Sequence, residues 1–169
     1  ALNLGVSSLT INPAGILNKD NKSLQASYFG WFEDISFQNI SVMTKLSKTS
    51  ALAIDAAYYN YGSFDKRGYN DYSSGAFHAY DLLLAAGYAV SAGTFNFGAN
   101  LKLFNQTIDN NSATGVAFDF GCQKRNIGVL SNLSKIIDNL PEPIERVGIT
   151  LKNIGNSGRF NTVRAGLPK

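Results

Sequence analysis

The segment TFNFGANLKLFNQTI, residues 94–108, decides the fold class because its apolar and polar residues alternate. From Phe95 to Leu103 the odd positions are apolar and the even positions are polar or small, and Phe104 departs from this pattern. The apolar set is Phe95, Phe97, Ala99, Leu101 and Leu103, and the polar or small set is Asn96, Gly98, Asn100, Lys102 and Gln106. Successive side chains of a strand point to opposite faces of a sheet, so the segment predicts a long strand with one apolar and one polar face.

The same alternation recurs along most of the chain and predicts an antiparallel meander. About eight strands are predicted in this way, at residues 23–32, 35–47, 50–61, 76–92, 94–108, 114–124, 145–154 and 161–168. Short clusters of turn residues separate most of them, which is typical of neighbouring antiparallel strands. The phase of the alternation slips at Gln38-Asn39, inside the second strand, and this slip predicts a β-bulge.

Two segments interrupt the alternation. Residues 62–75, GSFDKRGYNDYSSG, are rich in Gly, Ser, Asp and Tyr and predict a long loop. Residues 132–146 carry apolar residues at helical spacing before two prolines, and they predict a short helix or an ordered loop.

The composition excludes several classes of function. Charged residues make up 16% of the 169 residues, well below the about 25% of an average soluble domain. The net charge of +3 contains no run of like charges, so no nucleic-acid partner is predicted. One cysteine excludes an internal disulfide, and with a single histidine no metal site and no cofactor is predicted. No run of about 20 apolar residues is available to span a membrane as a helix.

Two architectures would use such alternating strands differently. In a soluble sandwich the apolar faces of two sheets pack together, and strands have about 5–6 residues. In an outer-membrane barrel the apolar face meets lipid and the polar face lines the interior, which takes about 9–11 residues per strand. The predicted strands are mostly of the longer kind, and aromatic residues cluster near their ends, as they do at membrane interfaces. The sequence favours a transmembrane barrel, with a soluble β-sandwich binding module as the alternative.

No catalytic arrangement is predicted, and the chain is expected not to be an enzyme. His78 and Asp81 are three residues apart in one predicted strand, so their side chains point to opposite faces and form a poor dyad. Nothing in the sequence brings Asp55 and Asp119 together. Cys122 falls on the apolar parity of its strand and is interpreted as a small hydrophobic residue.

The most specific motif stands near the start of the chain. VSSLTINPAGI, residues 6–16, places Asn12-Pro13-Ala14-Gly15 ahead of the first predicted strand, SLQASYFGWF. This order resembles the N-terminal region of the FadL-type outer-membrane barrels, a superfamily of hydrophobic-compound transporters that includes the PorV- and PorQ-like proteins of secretion systems. Later segments resemble strands of the same family in the same order, at residues 96–108, 113–123, 147–156 and 162–169.

The resemblance implies a bacterial outer-membrane barrel, with a signal peptide already removed from this chain. Residues 1–22 would form a hatch inside the barrel, and residues 23–169 would supply its wall. The implied function is passive transport of a hydrophobic small molecule, controlled by the hatch and by a kinked strand. The implied hatch residues are Asn12, Pro13, Ala14 and Gly15; the candidate kink is at Gln38 and Asn39; and the candidate lumen-facing charges are Asp55, Lys102, Asp119 and Arg164.

Other members of the same family imply an alternative to transport. A PorV-like barrel would not transport and would instead bind proteins in export or surface attachment. The predicted partners are therefore membrane lipid together with either a hydrophobic small molecule or secretion-system proteins. Family members usually have more strands than the roughly eight visible here, so the chain is expected to be the N-terminal part of a longer barrel. An independent barrel of about eight strands, the smallest closed size, is the other expectation.

Overall fold

The computed structural model describes residues 6–17, 21–67, 72–125 and 146–156, which form an N-terminal segment and one antiparallel sheet. The N-terminal segment, defined here as Val6–Leu17, contains helix α1 (Ser8–Ile11) and a 3-10 helix (Pro13–Leu17). The strands are β1 (Lys22–Gly30), β2 (Ser36–Lys45), β3 (Ser50–Arg67), β4 (Ser73–Ala92), β5 (Phe95–Ile108), β6 (Asn111–Arg125) and β7 (Arg146–Asn156).

The sheet is a meander in which each strand pairs antiparallel with the next one in the chain. The predicted all-β, antiparallel fold is therefore confirmed. Within the described residues the sheet has seven strands, its edges are β1 and β7, and it is not closed into a barrel. That the strands close into a barrel stays a prediction. The predicted strand at 161–168 lies outside the described residues, as does the predicted helix at 132–146 except for its last residue, which begins β7.

The predicted loop at residues 62–75 is wrong for most of its length. β3 continues to Arg67 and β4 begins at Ser73, so the two strands form a hairpin that extends beyond their neighbours. Register shifts in this hairpin, the first between Asn60 and Ser63, absorb extra residues and reset the phase of alternation. That reset explains why the sequence pattern breaks here while the strand pairing continues.

The predicted β-bulge at Gln38-Asn39 is also wrong, and the candidate kink loses its basis. β2 keeps continuous register with β1 and β3 through both residues. The phase slip has a different cause: Gln38 is a polar residue on an otherwise apolar face, while Asn39 points to the other face and donates a hydrogen bond to Asp55.

The two faces of the sheet differ in the size of their side chains and in what covers them. The inner face is the one on which the N-terminal segment packs. It carries small and polar side chains, many of them buried, including Ser41, Ala51, Ala53, Asp55, Ala85, Ala89, Asn100, Ala117 and Asp119. The opposite, outer face carries large apolar side chains that are exposed, including Ile40, Val42, Ile54, Leu82, Leu84, Val90, Phe97, Leu101, Leu103, Phe118 and Phe120. A sheet in a soluble domain usually has the reverse arrangement.

The core lies between the N-terminal segment and the inner face. Its members are Val6, Leu9, Ile16 and Leu17 from the segment and Met43, Ala51, Ala53, Ala85 and Ala89 from β2, β3 and β4. The alanines let the segment approach the sheet closely. Each buried aliphatic side chain of the segment contributes roughly 1.5–3 kcal/mol to docking, before the entropy lost on ordering the segment.

Candidate functional site

The N-terminal segment lies in a depression made by glycines of neighbouring strands. Gly98 of β5 and Gly121 of β6 are direct register partners on the inner face. A Cβ on Gly98 would clash with the backbone of Pro13 and Ala14, and a Cβ on Gly121 would clash with the side chain of Asn12. Because glycine has no side chain, the motif can rest directly on the backbone of the sheet.

Asn12 links the 3-10 helix to two strands. Its Oδ1 accepts a hydrogen bond from the backbone N of Ala14 at 3.0 Å. Its Nδ2 donates to the carbonyl oxygens of Cys122 in β6 and Ile149 in β7, each at 3.4 Å. The backbone N of Gly15 donates to the Asn12 carbonyl at 2.9 Å, which closes the turn. An amide side chain, which is both acceptor and donor, is needed for this double role.

Helix α1 has its own contacts with the sheet. Leu9 is fully buried above Gly87 of β4, where a Cβ would collide with its Cδ1. Lys152 of β7 donates from Nζ to the carbonyl oxygen of Thr10 at 2.6 Å. Together with the packing of the 3-10 helix on β3, β4, β5 and β6, these contacts spread the segment across most of the sheet.

A buried ion pair lies on the inner face. Lys102 Nζ is 2.6 Å from Asp119 Oδ2, and Asp119 is 0% exposed. Asn100 Nδ2 also donates to Oδ2 at 3.2 Å, and the backbone N of Asn153 donates to Oδ1 at 2.8 Å. Lys102 Nζ donates in addition to Asn153 Oδ1 at 3.0 Å. The charge of Asp119 is therefore compensated by one cation and two further donors, as a buried carboxylate requires.

The backbone of β7 is irregular at this ion pair. Asn153 has a φ of 59°, in the left-handed region, and the register of β6 with β7 shifts between Phe118 and Phe120. The extra residue lets two successive side chains bond to inner-face partners, Lys152 to the N-terminal segment and Asn153 to Lys102. Asn153 is not predicted from the sequence, because nothing in the alternation of β7 marks it.

A second buried carboxylate stands on β3. Asp55, 3% exposed, accepts hydrogen bonds from Ser41 Oγ and, at 2.8 Å, from Asn39 Nδ2. Asp55 and Asp119 have separate partners and stand on strands that are not neighbours, so the structure does not bring them together. Asp55, Lys102 and Asp119 all lie on the inner face, on the predicted parity. That these three side chains face a barrel lumen stays a prediction. The fourth candidate, Arg164, lies outside the described residues.

Two cavities open on the inner face between the N-terminal segment and the β3–β4 hairpin. A cavity of about 450 Å³ lies beside the ion pair, and Leu83 and Phe104 contribute its apolar lining. A second cavity, of about 440 Å³, is named here the aromatic pocket; its lining includes Tyr61, Phe64, Phe77, Ala79 and Ile108. Both volumes are in the range of sites that hold small ligands.

The aromatic pocket has apolar walls and a polar group at one side. The rings of Phe64 and Phe77 stack with their centroids 5.2 Å apart. Asp81 accepts hydrogen bonds from Tyr61 OH at 2.9 Å and from Gln106 Nε2 at 3.2 Å. The carboxylate is thus occupied by protein donors, and the remaining surface suits an apolar molecule.

The residues considered for catalysis are kept apart. His78 is exposed on the outer parity of β4, whereas Asp81 bonds to inner-face partners, so the two do not form a pair. Cys122 is half-buried on the outer parity of β6. Within the described ranges, no group of three or more His, Cys, Asp or Glu side chains is arranged to hold a metal ion. In the same part of the chain, none of the helices has the length and hydropathy needed to cross a membrane.

Comparison with known proteins gives no relative: no family model, no curated protein and no solved structure matches this chain. The resemblance to FadL-type barrels, and the location and partners that it implies, therefore stay predictions from the sequence.

Proposed function

We propose that the chain supplies wall strands and the hatch of a FadL-like bacterial outer-membrane barrel that passes hydrophobic small molecules. One observation carries the proposal. The large apolar side chains of the sheet are exposed on the outer face, whereas its small and polar side chains lie on the inner face, part of which the N-terminal segment covers. In lipid an apolar outer face is favourable. In water it would form a patch far larger than the few hundred Å² that soluble monomers expose.

Strand length and aromatic placement support the same setting. β5 has 14 residues and β6 has 15, more than the about 9–11 that cross the hydrocarbon core. At the end of the sheet that holds the β1–β2 connection, Trp31 makes edge-to-face contacts with Phe29 and with Phe32, and all three rings are exposed. Exposed aromatic rings at strand ends suit the interface between lipid and water.

The inner face supports passage of an apolar molecule. The aromatic pocket, the cavity beside the ion pair and the N-terminal segment follow one another along β4 and β5. A ligand entering at the hairpin end would meet the aromatic pocket first and the segment last. The bonds of Asn12 to β6 and β7, at 3.4 Å, are long, so the segment is held on these two strands more by packing than by hydrogen bonds.

A PorV-like barrel that binds export or surface-attachment proteins is the second candidate. The observation in its favour is the β3–β4 hairpin, whose strands stay paired as far as Arg67 and Ser73, beyond the neighbouring strands. A paired projection of this kind offers strand backbone and side chains to a protein partner. The soluble-sandwich alternative has less support, because within the described residues no second sheet covers the outer face.

Spin labels on two adjacent leucines test the membrane location. Cys122→Ala removes the native thiol, and Leu83→Cys and Leu84→Cys then place a nitroxide on the inner and the outer face of β4. In lipid vesicles, the label at 84 should be accessible to oxygen and shielded from a water-soluble nickel chelate. The label at 83 should be less accessible to oxygen. A soluble sandwich requires the label at 84 to be buried from both reagents without lipid.

Uptake by cells tests the transport step. Cells that express the full-length gene should accumulate a radiolabelled aromatic hydrocarbon such as toluene several-fold faster than cells without it. Equal uptake, together with loss of exported surface proteins when the gene is deleted, would favour the second candidate.

A further inference from the structure

The two ends of the sheet carry opposite charges. At the end that holds the β2–β3 and β4–β5 turns, named here the basic end, the charged residues among those described are all cations: Lys22, Lys45, Lys48, Lys124, Arg125 and Arg146. At the opposite end acidic side chains outnumber the two cations, Lys66 and Arg67; the acidic residues are Glu33, Asp34, Asp65, Asp81 and Asp109. This separation along the strands gives the sheet a polarity that does not follow from its small net charge.

Some cations of the basic end serve the fold itself. Arg125 Nη2 donates to Ser91 Oγ at 2.6 Å and to the carbonyl of Gly93 at 3.0 Å, so it holds the β4–β5 turn against β6. Lys22, Lys48 and Lys124 are different, because each of them is exposed. Lys22 and Lys124 stand on the outer-face parity of β1 and β6, and Lys48 lies in the turn between β2 and β3.

Lys124 shows how this border is built. Its strand partner is Phe95, and its Nζ lies 5.6 Å from the centre of the Phe95 ring. Phe95 in turn stacks on Phe97, with 6.2 Å between the centroids, and both rings are exposed on the outer face. The ammonium group therefore lies against an aromatic ring at the border of the exposed apolar surface. Lysine side chains in such positions extend toward the headgroup region while their methylene groups stay on apolar surface.

We infer that Lys22, Lys48 and Lys124 bind the phosphate groups of acidic glycerophospholipids, of which phosphatidylglycerol is the simplest. This inference rests on the proposed membrane location and adds the lipid class to it. The charge pattern favours an anionic partner, because every charged side chain among the described residues at the basic end is a cation and these three lysines are exposed. Basic residues at the surface of a bilayer are attracted to its anionic lipids.

The local lipid composition around one tryptophan tests this inference. In a Trp31→Phe background, Phe95→Trp places the only tryptophan at the basic end. The full-length chain is folded into vesicles of phosphatidylcholine and phosphatidylglycerol in equal amounts, with either one or the other lipid brominated, because bromine quenches tryptophan fluorescence on contact. Quenching by brominated phosphatidylglycerol should correspond to about fivefold enrichment of this lipid, the equivalent of about 1 kcal/mol for one basic residue.

The controls separate the lysines from other causes. The triple variant Lys22→Gln, Lys48→Gln, Lys124→Gln should quench equally with both lipids, and high salt should reduce the enrichment in the parent by screening. The unmodified chain, whose native Trp31 stands at the opposite end, should show no preference for phosphatidylglycerol.

The outcomes distinguish this inference from the proposed function. Quenching by neither lipid at either tryptophan would overturn the membrane location itself. Equal quenching by both lipids at residue 95 would leave the membrane location standing and overturn the lipid preference. A preference at Trp31 that equals the one at residue 95, or one that survives the triple variant, would also overturn it.

Discussion

Gly98 and Gly121 face each other across β5 and β6, and Pro13 packs on both of them. The pair leaves a depression in the inner face that is as deep as the missing side chains, and the Asn12–Gly15 motif fills it. The position of the N-terminal segment therefore depends on the absence of two Cβ atoms as much as on the apolar side chains that the segment buries.

Replacing Gly98 with valine should loosen the N-terminal segment. The new side chain would occupy the place of the Pro13 and Ala14 backbone, and overpacking of this kind costs about 1–3 kcal/mol. Hydrogen exchange of residues 6–17 should become faster, while exchange in β5 stays slow. Ala99→Val is the matched control, because residue 99 is exposed on the outer face and meets no part of the segment. Equal exchange of the segment in both variants would contradict the glycine depression.

Asn12→Asp separates the two roles of the Asn12 side chain. The aspartate keeps an acceptor for the backbone N of Ala14, but it has no donor for the carbonyls of Cys122 and Ile149 and adds a negative charge beside them. We expect Asn12→Asp to weaken docking more than Asn12→Ser, by about 1–2 kcal/mol. Limited proteolysis within the N-terminal segment measures this difference. Equal cleavage rates would show that the contacts with β6 and β7 contribute nothing.

Lys102→Met should destabilise the fold by about 3–5 kcal/mol, because it leaves the buried Asp119 without its cation. The double variant Lys102→Met, Asp119→Asn should recover part of that loss. Denaturant unfolding in detergent micelles measures both effects.

The matched control for this ion pair is the more exposed pair of Lys66 and Asp109, whose side chains are 49% and 31% exposed. Lys66→Met should cost no more than about 1 kcal/mol. A similar cost for the two lysine variants would contradict the structural importance of the buried pair.

The aromatic pocket should bind an apolar probe, and Phe64→Ala should weaken that binding. Phe64 supplies one of the two stacked rings that line the pocket, and loss of an aromatic ring that contacts the probe is expected to lower affinity about tenfold. The fluorescence of 1-aminoanthracene, which rises in apolar surroundings, measures the affinity. Phe120→Ala, on the outer face, should leave probe binding unchanged. Equal loss in both variants would place the probe on the outer face instead.

A charge on the outer face should be costly only in lipid. Leu84→Arg places a guanidinium in the middle of the exposed apolar face. In a bilayer it should lower the free energy of unfolding by about 2–4 kcal/mol, which destabilises the fold. Phe32→Arg, in the connection between β1 and β2, should cost about 0–1 kcal/mol at the interface. Denaturant titration in vesicles compares the two variants. If Leu84→Arg instead kept stability and improved solubility without detergent, the outer face would be a water-exposed surface.

The sequence by itself determined most of the strands and their faces. Asn100, Lys102 and Asp119 stand on the parity that alternation assigns to them, because the two-residue period of a strand is a local property of the chain. The β-bulge predicted at Gln38-Asn39 is wrong because alternation reports only local sequence. One polar residue on an apolar face changes the pattern in the same way as a bulge, although the strand pairing is continuous.

The tertiary structure alone decided which face is covered and by what. The glycines at 98 and 121 are visible in the sequence on the polar parity, yet only the docked segment shows that Pro13 lies on them. The irregularity at Asn153 depends in the same way on Asp119, a residue far away in the chain. Such features arise from contacts between distant segments, whose geometry is set by the register of the whole sheet, whereas alternation records only the neighbours of each residue.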